Sequence, residues 1–236
     1  MRSVDVKWVG SVSYDEGYAL QAARVDEVVA ARALGGDQGT IHLLEHLPAV
    51  ITISRRREAP SHLLALPDRL AADGIEVRET DRGGDITYHG PGQLVAYPNL
   101  DLNIFNLGLH DYMRMLEEAV IRACAVWGIA AERDPGATGV WVDGAKLCAM
   151  GVRVRKWVSM HGLAINVSTD LRHFDHIVPC GLVGRKVTSL RRLLGPAAPG
   201  VREAGERIAG ALSDMLRERA EAVAARRRDH GATGDA

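Results

Sequence analysis

A β-hairpin signal in the second half of the chain constrains the fold more than any other feature. The apolar stretch 140–142 meets Asp143-Gly144, and a long alternating run follows. β-branched and aromatic residues around an Asp-Gly dipeptide predict two antiparallel strands joined by a tight turn. The run continues as two more predicted strands, Leu147 to Val154 and Val158 to Val167, which turn near Arg155-Lys156. Antiparallel sheet is therefore expected at the centre of the fold.

This pairing also predicts which residues lie near one another. A tight turn at Arg155-Lys156 places Lys146 opposite Ile165, near the end where the second strand leaves the sheet. The chain that leaves Val167 reaches Cys180 thirteen residues later, which is well within the span of a loop. Lys146 and Cys180 can therefore meet.

The rest of the chain alternates between predicted strands and helices. Strands are expected at 4–9, 40–44, 49–53, 74–79 and 94–102, and helices at 14–33, in part of 61–72, at 111–127 and at 201–225. Asp111 is the expected N-cap of its helix, and Pro67 is expected to interrupt the helical stretch around it. These elements predict an α/β (α+β) fold, with one mixed, largely antiparallel sheet flanked by helices. We expect a single domain over 1–225 and a disordered tail over 226–236.

Composition excludes several classes of protein. The 29 basic and 30 acidic residues nearly cancel, so no net charge draws the chain to nucleic acid or to a membrane surface. No apolar run approaches the length of a membrane span, and the N-terminus lacks the apolar core of a signal peptide. Three cysteines without a CxxC pair argue against a disulfide scaffold and favour the reducing cytoplasm.

Pro179-Cys180-Gly181 is a candidate nucleophilic site. Proline stiffens the approach to the sulfur, and glycine removes the Cβ that would crowd it. A free thiol has a pKa near 8.5, so a nucleophilic cysteine needs a neighbour that stabilises the thiolate. The ammonium of Lys146 is one candidate, and His89 or His161 is another. Cys180 is alternatively a small buried apolar residue.

The segment 82–93, RGGDITYHGPGQ, has the composition of a binding loop. Four glycines in twelve residues let backbone amides approach a ligand closely. The segment matches neither GxxxxGK[ST] nor GxGxxG, so a nucleotide phosphate loop is not indicated. A turn-rich connection between two strands is the alternative interpretation.

Several ordered motifs together resemble the octanoyltransferases of lipoate biosynthesis. They are Glu45-His46, RGGDITYHGPGQ, TGVWVDGAKLCAMGVRV, MHGLAIN at 160–166, and IVPCG followed by VTSL at 187–190. The resemblance extends from about Val4 to Leu194. It implies the fold of the catalytic domains of biotin and lipoate protein ligases.

The resemblance also implies an activity and its residues. An octanoyl group passes from octanoyl-acyl carrier protein to a lysine of a lipoyl domain, in a 2-oxoacid dehydrogenase complex or in the glycine cleavage H protein. Cys180 corresponds to the acyl-thioester cysteine and Lys146 to its dyad partner. No metal and no cofactor are implied, and the thioester donor makes ATP unnecessary. The implied substrate-binding residues are Arg82, Gly83, Gly84, Asp85, Ile86, Thr87, Tyr88, His89, Ala149, Met150, Gly151, Gly162, Leu163 and Ala164.

The chain departs from the pattern that it resembles at four positions. Leu47 looks like an extra residue after Glu45-His46, and Ser54 stands where glycine is usual. Asp85 replaces a commoner lysine or glutamine, and Cys148 replaces a commoner small residue. These differences concern the shape of loops and the charge at the rim of the pocket rather than the dyad.

Other interpretations remain open. An ATP-dependent lipoate or biotin ligase shares the expected fold, a thioesterase would release free octanoate, and a non-catalytic module would only bind the acyl carrier. His173 to His176 suggest either a loose metal site or a polar loop. Basic residues at 55–57, at 153–156 and at 185–186 are candidate docking sites for an acidic carrier protein.

Overall fold

A large sheet of seven strands and a small sheet of three strands form the framework of the protein. The computed structural model describes residues 4–178 and 185–232. Its large sheet has the order β1-β2-β6-β10-β9-β8-β7. These strands are β1 (Asp5–Val12), β2 (Gly39–His46), β6 (Gln93–Leu100), β7 (Glu132–Asp134), β8 (Ala137–Val142), β9 (Ala145–Arg155) and β10 (Val158–Asn166). Strands β1 and β2 pair in parallel, and the other neighbours in this sheet are antiparallel.

The small sheet has the order β4-β3-β5, with β3 at Ala49–Ser54, β4 at Ile75–Thr80 and β5 at Ile86–His89. Strand β3 pairs in parallel with β4 and in antiparallel fashion with β5. Each sheet therefore contains one parallel pair. The predicted mixed, largely antiparallel α/β architecture is confirmed, although its strands are divided between two sheets.

Two helices cover one face of the large sheet, where the main core lies. In the part of the chain that the structure describes, the α-helices are α1 (Tyr14–Ala31), α2 (Pro67–Ala72), α3 (Leu109–Val126), α4 (Leu190–Leu194) and α5 (Val201–Ala232). Leu116 of α3 and Leu212 of α5 pack with Leu43, Leu94 and Ile165 of the sheet, and all five are buried. Apolar residues that recur with the helical period give each helix one face for this core. No helix within 4–178 or 185–232 is long and apolar enough to cross a membrane.

Helix α1 packs on a different part of the large sheet. Ser13 caps it, because the side chain of Ser13 accepts from the amide of Glu16 while the carboxylate of Glu16 accepts from Ser13. Val25 and Val28 of this helix form a small core with Met160 of β10. The cap therefore fixes the start of α1 beside the strands that carry the candidate site.

The strand register differs from the prediction by two residues. The turn between β9 and β10 is Lys156-Trp157, and both residues have positive φ, 52° and 62°. Cys148 therefore faces Ile165, where Lys146 was expected. Left-handed backbone at a bulky residue is uncommon, so no local signal predicted that Trp157 would form the turn.

Three predicted helix boundaries are also wrong. Helix α3 begins at Leu109 with Gly108 as its N-cap, so Asp111 lies in the first turn instead. Pro67 begins α2, because proline fits a first helical position where no amide donor is needed. Helix α5 continues to Ala232, beyond the predicted end at 225.

Candidate active site

A cleft of about 480 Å³, part of it open to solvent, lies between the two sheets. Strand β5 of the small sheet forms one wall, and β6, β9 and β10 of the large sheet form the other, so the cleft rests on regular structure. The residues that line it are Tyr14, Arg82, Gly84, Asp85, Ile86, Thr87, His89, Val95, Tyr97, Ala149, Met150, Gly151, His161, Gly162, Leu163 and Ala164.

Two pairs of small residues form part of the wall. Gly151 faces Gly162, and Ala149 faces Ala164, across the antiparallel pair of β9 and β10. A Cβ on Gly151 would lie 2.5 Å from the carbonyl oxygen of Gly83, whose amide donates to Val152. Glycine at 151 therefore lets the backbone of the 82–84 loop close against β9 and complete the wall.

The structure brings together most of the stretches that the sequence predicted to bind substrate. Gly83 and Tyr88 lie behind the wall. Gly83 bonds through its backbone to β9, and Tyr88 packs in the core of the small sheet with its hydroxyl 2.8 Å from His173 Nδ1. Successive side chains of a strand point to opposite faces, so Tyr88 faces away from Thr87 and His89.

Four cleft residues were outside the predicted substrate-binding set, although His161 was named as an alternative partner for the Cys180 thiolate. Tyr14 begins α1, Val95 and Tyr97 lie on β6, and His161 lies on β10. Val95 and Tyr97 follow the glycine-rich segment and alternate along their strand, which is a signal that could have been used. Tyr14 is distant in sequence from every motif and could be found only from the tertiary structure.

Buried histidines and tyrosines make one side of the cleft polar but uncharged. His89 is enclosed, and burial lowers its pKa well below the usual value. Burial also lowers the pKa of His46 to about 4, so its ring is neutral at pH 7. The hydroxyl of Tyr97 lies 2.7 Å from His46 Nε2. Because the carbonyl of Val12 can only accept from His46 Nδ1, Nε2 accepts from Tyr97.

A second histidine is fixed by a carboxylate. His161 Nε2 lies 2.9 Å from Asp81 Oδ1, while Tyr18 donates to Asp81 Oδ2 at 2.8 Å and Arg153 pairs with the same carboxylate. Burial opposes ionisation of Asp81, yet these donors hold the pKa of its carboxyl below the usual value. Burial lowers the pKa of His161 despite this partner. The ring of His161 is thereby anchored at the cleft.

Lys146 is a buried residue of β9 that contacts an aromatic ring and the backbone of a neighbouring segment. The residue is 6% exposed, and its Nζ lies 4.8 Å from the centre of the Trp141 ring. Its amide donates to the carbonyl of Lys186 at 2.8 Å, and its carbonyl accepts from the amide of Thr188 at 2.9 Å. An amine buried in this way is available for chemistry only within the adjoining cavity.

That adjoining cavity connects Lys146 to the cleft. It encloses about 270 Å³, and its lining includes Lys146, Gln93 and Asn166. Thr87, Ala149 and Ala164 line both spaces. The lysine and the predicted substrate-binding residues therefore belong to one continuous region.

The predicted nucleophile, Cys180, lies outside the described residues. The chain on either side of it is described: the amide of Val178 donates to the carbonyl of His62, and Lys186 pairs with Lys146. The other cysteines, Cys124 and Cys148, are buried in the main core. Burial raises the pKa of the Cys124 thiol to about 12 and that of Cys148 further, so neither is a nucleophile at neutral pH.

The histidines just before Cys180 make structural contacts. His173 bonds with Tyr88, and His176 Nε2 lies 2.8 Å from Asp73 Oδ2. Among residues 4–178 and 185–232, no three His, Cys, Asp or Glu side chains group as metal ligands would. His173 and His176 are thus both engaged in hydrogen bonds with other side chains of the protein.

Comparison with known proteins identifies the family and the fold of this chain. Residues 18–213 match the family described as Lipoyl protein ligase A/B catalytic domain. An octanoyltransferase of Bacteroides thetaiotaomicron is 44% identical over 95% of this chain and 100% of its own length. An octanoyltransferase of Chloroflexus aurantiacus is 43% identical over the same shares of the two chains.

The chain belongs to the octanoyltransferase family. The resemblance drawn from the sequence motifs is thereby confirmed, and so is the class of enzyme, an acyltransferase. Membership in this family identifies the class of reaction, acyl transfer, which the geometry of the cleft and of the buried lysine does not identify by itself.

Solved structures show the same fold at much lower identity. A bipartite lipoate protein ligase of Thermoplasma acidophilum superposes with a TM-score of 0.67 and 17% identity, covering 96% of this chain and 92% of that one. Lipoate-protein ligase A bound with ATP gives 0.66 and 16%, covering 94% of each chain. A biotin protein ligase of Aquifex aeolicus gives 0.52, covering 93% of this chain and 72% of that one. The predicted ligase-like fold is confirmed.

Proposed function

We propose that this member of the octanoyltransferase family carries an octanoyl group from octanoyl-acyl carrier protein to a specific lysine of a lipoyl domain. Cys180 forms the acyl-thioester intermediate, and Lys146 is its dyad partner. The acceptors are the lipoyl domains of 2-oxoacid dehydrogenase complexes or the glycine cleavage H protein. The observation that carries the proposal is the buried Lys146 at a cavity that shares its wall with the cleft.

Covalent connectivity supports the pairing of Cys180 with Lys146. Lys186 follows Cys180 by six residues, and its carbonyl accepts from the backbone amide of Lys146. Six residues span at most about 20 Å when fully extended. The chain therefore permits the sulfur to reach the amine without any rearrangement of the described strands.

The positive charge of the Lys146 amine explains why a lysine suits the role of dyad partner to Cys180. An ammonium about 4 Å from a thiolate stabilises it by roughly 4 kcal/mol at an effective dielectric constant of about 20. Desolvation of both groups offsets part of this gain. The net effect is a larger thiolate fraction at neutral pH, which is the form that attacks.

Two exchanges at one carbonyl complete the reaction. The thiolate of Cys180 attacks the octanoyl carbonyl, the bond to the carrier's thiol breaks, and Lys146 gives a proton to the departing sulfur. The acceptor amine then attacks the new thioester, Lys146 takes a proton from that amine, and the Cys180 thiolate leaves as the amide forms. Since the donor is already a thioester, no ATP is consumed.

One basic cluster supports docking of the donor near the cleft. Arg153, Arg155 and Arg185 form ion pairs with carboxylates of this same chain. Arg55 to Arg57 are exposed and follow β3 directly. The last residue of β3, Ser54, bonds to the backbone of Gly84 and Asp85 at the cleft wall. We therefore assign docking of the acidic carrier protein to residues 55–57 rather than to the other two clusters.

Intact-protein mass spectrometry tests the intermediate. We expect the enzyme incubated with octanoyl-acyl carrier protein to gain one octanoyl group, and Cys180→Ala to gain none. Cys180→Ser keeps a hydroxyl that is a weaker nucleophile and is expected to lose nearly all transfer. An octanoyl adduct on Cys180→Ala would contradict the assignment of the nucleophile.

One transfer assay separates the alternatives. Octanoyl carrier protein and apo lipoyl domain are mixed with the enzyme, with and without ATP. Amide formation without ATP is expected. A requirement for ATP would indicate a ligase, and release of free octanoate with no acylated domain would indicate a thioesterase.

A further inference from the structure

Two buried amide side chains link the cleft to the segment beside Lys146. Gln93 of β6 and Asn166 of β10 are direct cross-strand partners, and they are 1% and 4% exposed. Gln93 Nε2 donates to Asn166 Oδ1 at 3.0 Å. Asn166 Nδ2 donates to the carbonyl of Thr188 at 3.0 Å. The pair therefore ends on the backbone of the 186–188 segment.

The same segment is bonded to Lys146 on its other side. The amide of Thr188 donates to the carbonyl of Lys146, and the carbonyl of Lys186 accepts from the amide of Lys146. Asn166 and Lys146 thus form hydrogen bonds with residues 186–188 from opposite sides. Loss of the bond from Asn166 would release one side of a segment that otherwise fixes the backbone of Lys146.

The orientation of both amides is determined by their partners. Gln93 Nε2 also donates to the carbonyl of Tyr88 at 3.1 Å, so its oxygen must face His89 Nδ1, 2.8 Å away. His89 Nδ1 is then the donor, and the ring is held in one tautomer. If either amide turned over, oxygen would face oxygen, so the network has one satisfied arrangement.

These amides also belong to the site itself. Gln93 and Asn166 line the same 270 Å³ cavity as Lys146. Groups that orient a reacting side chain must lie close to it, as these two amides do.

We propose that Gln93 and Asn166 are positioning residues for Lys146, acting through the 186–188 segment, a role that rests on the proposed function of Lys146. Their amides set where the strand at Lys146 lies relative to that segment. The ammonium extends from this fixed backbone into the shared cavity.

The experiment measures how fast iodoacetamide alkylates Cys180 as pH is varied, with the modified peptide identified by mass spectrometry. Asn166→Leu removes both hydrogen bonds. Asn166→Asp keeps the acceptor for Gln93 but places a carboxylate oxygen against the carbonyl of Thr188, so it serves if the leucine variant fails to fold. Each variant is expected to raise the midpoint pH by about one unit, which slows alkylation about tenfold at pH values well below both midpoints.

The effect must act through the lysine. In a Lys146→Ala background, which itself shifts the midpoint upward, Asn166→Asp is expected to cause no further shift. Asn99→Leu is a matched control, because Asn99, like Asn166, bridges one side chain and one backbone carbonyl, here His42 and Ser159, within the large sheet. It is expected to lower the melting temperature and to leave the alkylation profile unchanged.

The outcomes separate the two proposals. A shift with Lys146→Ala and none with the Asn166 variants would overturn the positioning role alone. An equal shift from Asn166→Asp with and without the lysine would also overturn it. No shift with Lys146→Ala would refute the dyad and the positioning role together.

Discussion

Substitution of Gly139 by alanine should test how tightly the strands around Lys146 are packed. Gly139 lies on β8 with φ of +125°, where an L side chain is strained. A Cβ there would lie 2.5 Å from the carbonyl oxygen of Cys148 and 3.4 Å from Cε of Lys146. The first contact is with backbone, which cannot move without separating β8 from β9.

The expected loss has two parts. Holding a non-glycine residue in this backbone region costs about 1–3 kcal/mol. Forcing an extra carbon into a well-packed site costs about 1–3 kcal/mol more. We therefore expect Gly139→Ala to lower the free energy of unfolding by about 2–6 kcal/mol, a large share of the 5–15 kcal/mol that is typical of domains.

A second glycine provides the control. Gly144 has φ of +73° in the turn before β9, and no atom lies within 4 Å of a Cβ built on it. Gly144→Ala therefore carries only the backbone cost, about 1–2 kcal/mol. Urea unfolding of both variants should show the larger loss for Gly139→Ala, and its Cys180 alkylation should also slow because Lys146 is displaced. Equal losses of stability in the two variants would refute this account of the packing.

Three further predictions concern stability and docking. Because His46 has a pKa of about 4 when folded and near 6.5 when unfolded, the unfolded chain binds more protons between these values. The free energy of unfolding should therefore fall by about 3 kcal/mol as pH drops from 6.5 to 4. In His46→Gln the urea midpoint should depend less on pH, which would confirm that His46 causes the loss. Reversing the charge of Arg55, Arg56 and Arg57 should raise KM for octanoyl-acyl carrier protein but not for a small octanoyl thioester, whereas reversal of three exposed arginines on α5 should change neither value. Glu45→Ala should lower the free energy of unfolding by about 1–3 kcal/mol, since the carboxylate accepts from the amide of Gly92 at 2.7 Å; an unchanged urea midpoint would contradict this.

The sequence predicted those parts of the fold that depend on local signals. The Asp143-Gly144 turn, the alternation in β9 and β10 and the apolar face of α3 each followed from neighbouring residues. The register prediction failed at Lys156-Trp157, because two non-glycine residues adopt left-handed backbone there and the carbonyl of Trp157 accepts from the distant amide of Leu102. The division of the strands into two sheets was not predictable either, since it depends on pairing between distant segments.

The candidate site was likewise predictable where sequence motifs marked it and not where it depends on tertiary structure. The stretches around Thr87, Ala149 and Gly162 meet at one cleft, as the motifs indicated, although their substrate role stays a prediction. Tyr14 reaches the cleft only because α1 packs across β10. The amide network of Gln93 and Asn166 was likewise invisible, since it requires the cross-strand register.

The facing pairs Gly151–Gly162 and Ala149–Ala164 have a practical consequence for engineering. The positions of these four residues are fixed, because their Cα atoms are held by the hydrogen bonds of two strands and not by a loop that could adapt. Under the proposed function, with the octanoyl tail in this cleft, enlarging one alanine should shorten the longest tail that fits, and each displaced methylene should cost about 0.8 kcal/mol. A designer who wants a catalyst for shorter acids can therefore begin with single substitutions at 149 and 164 and leave every loop untouched.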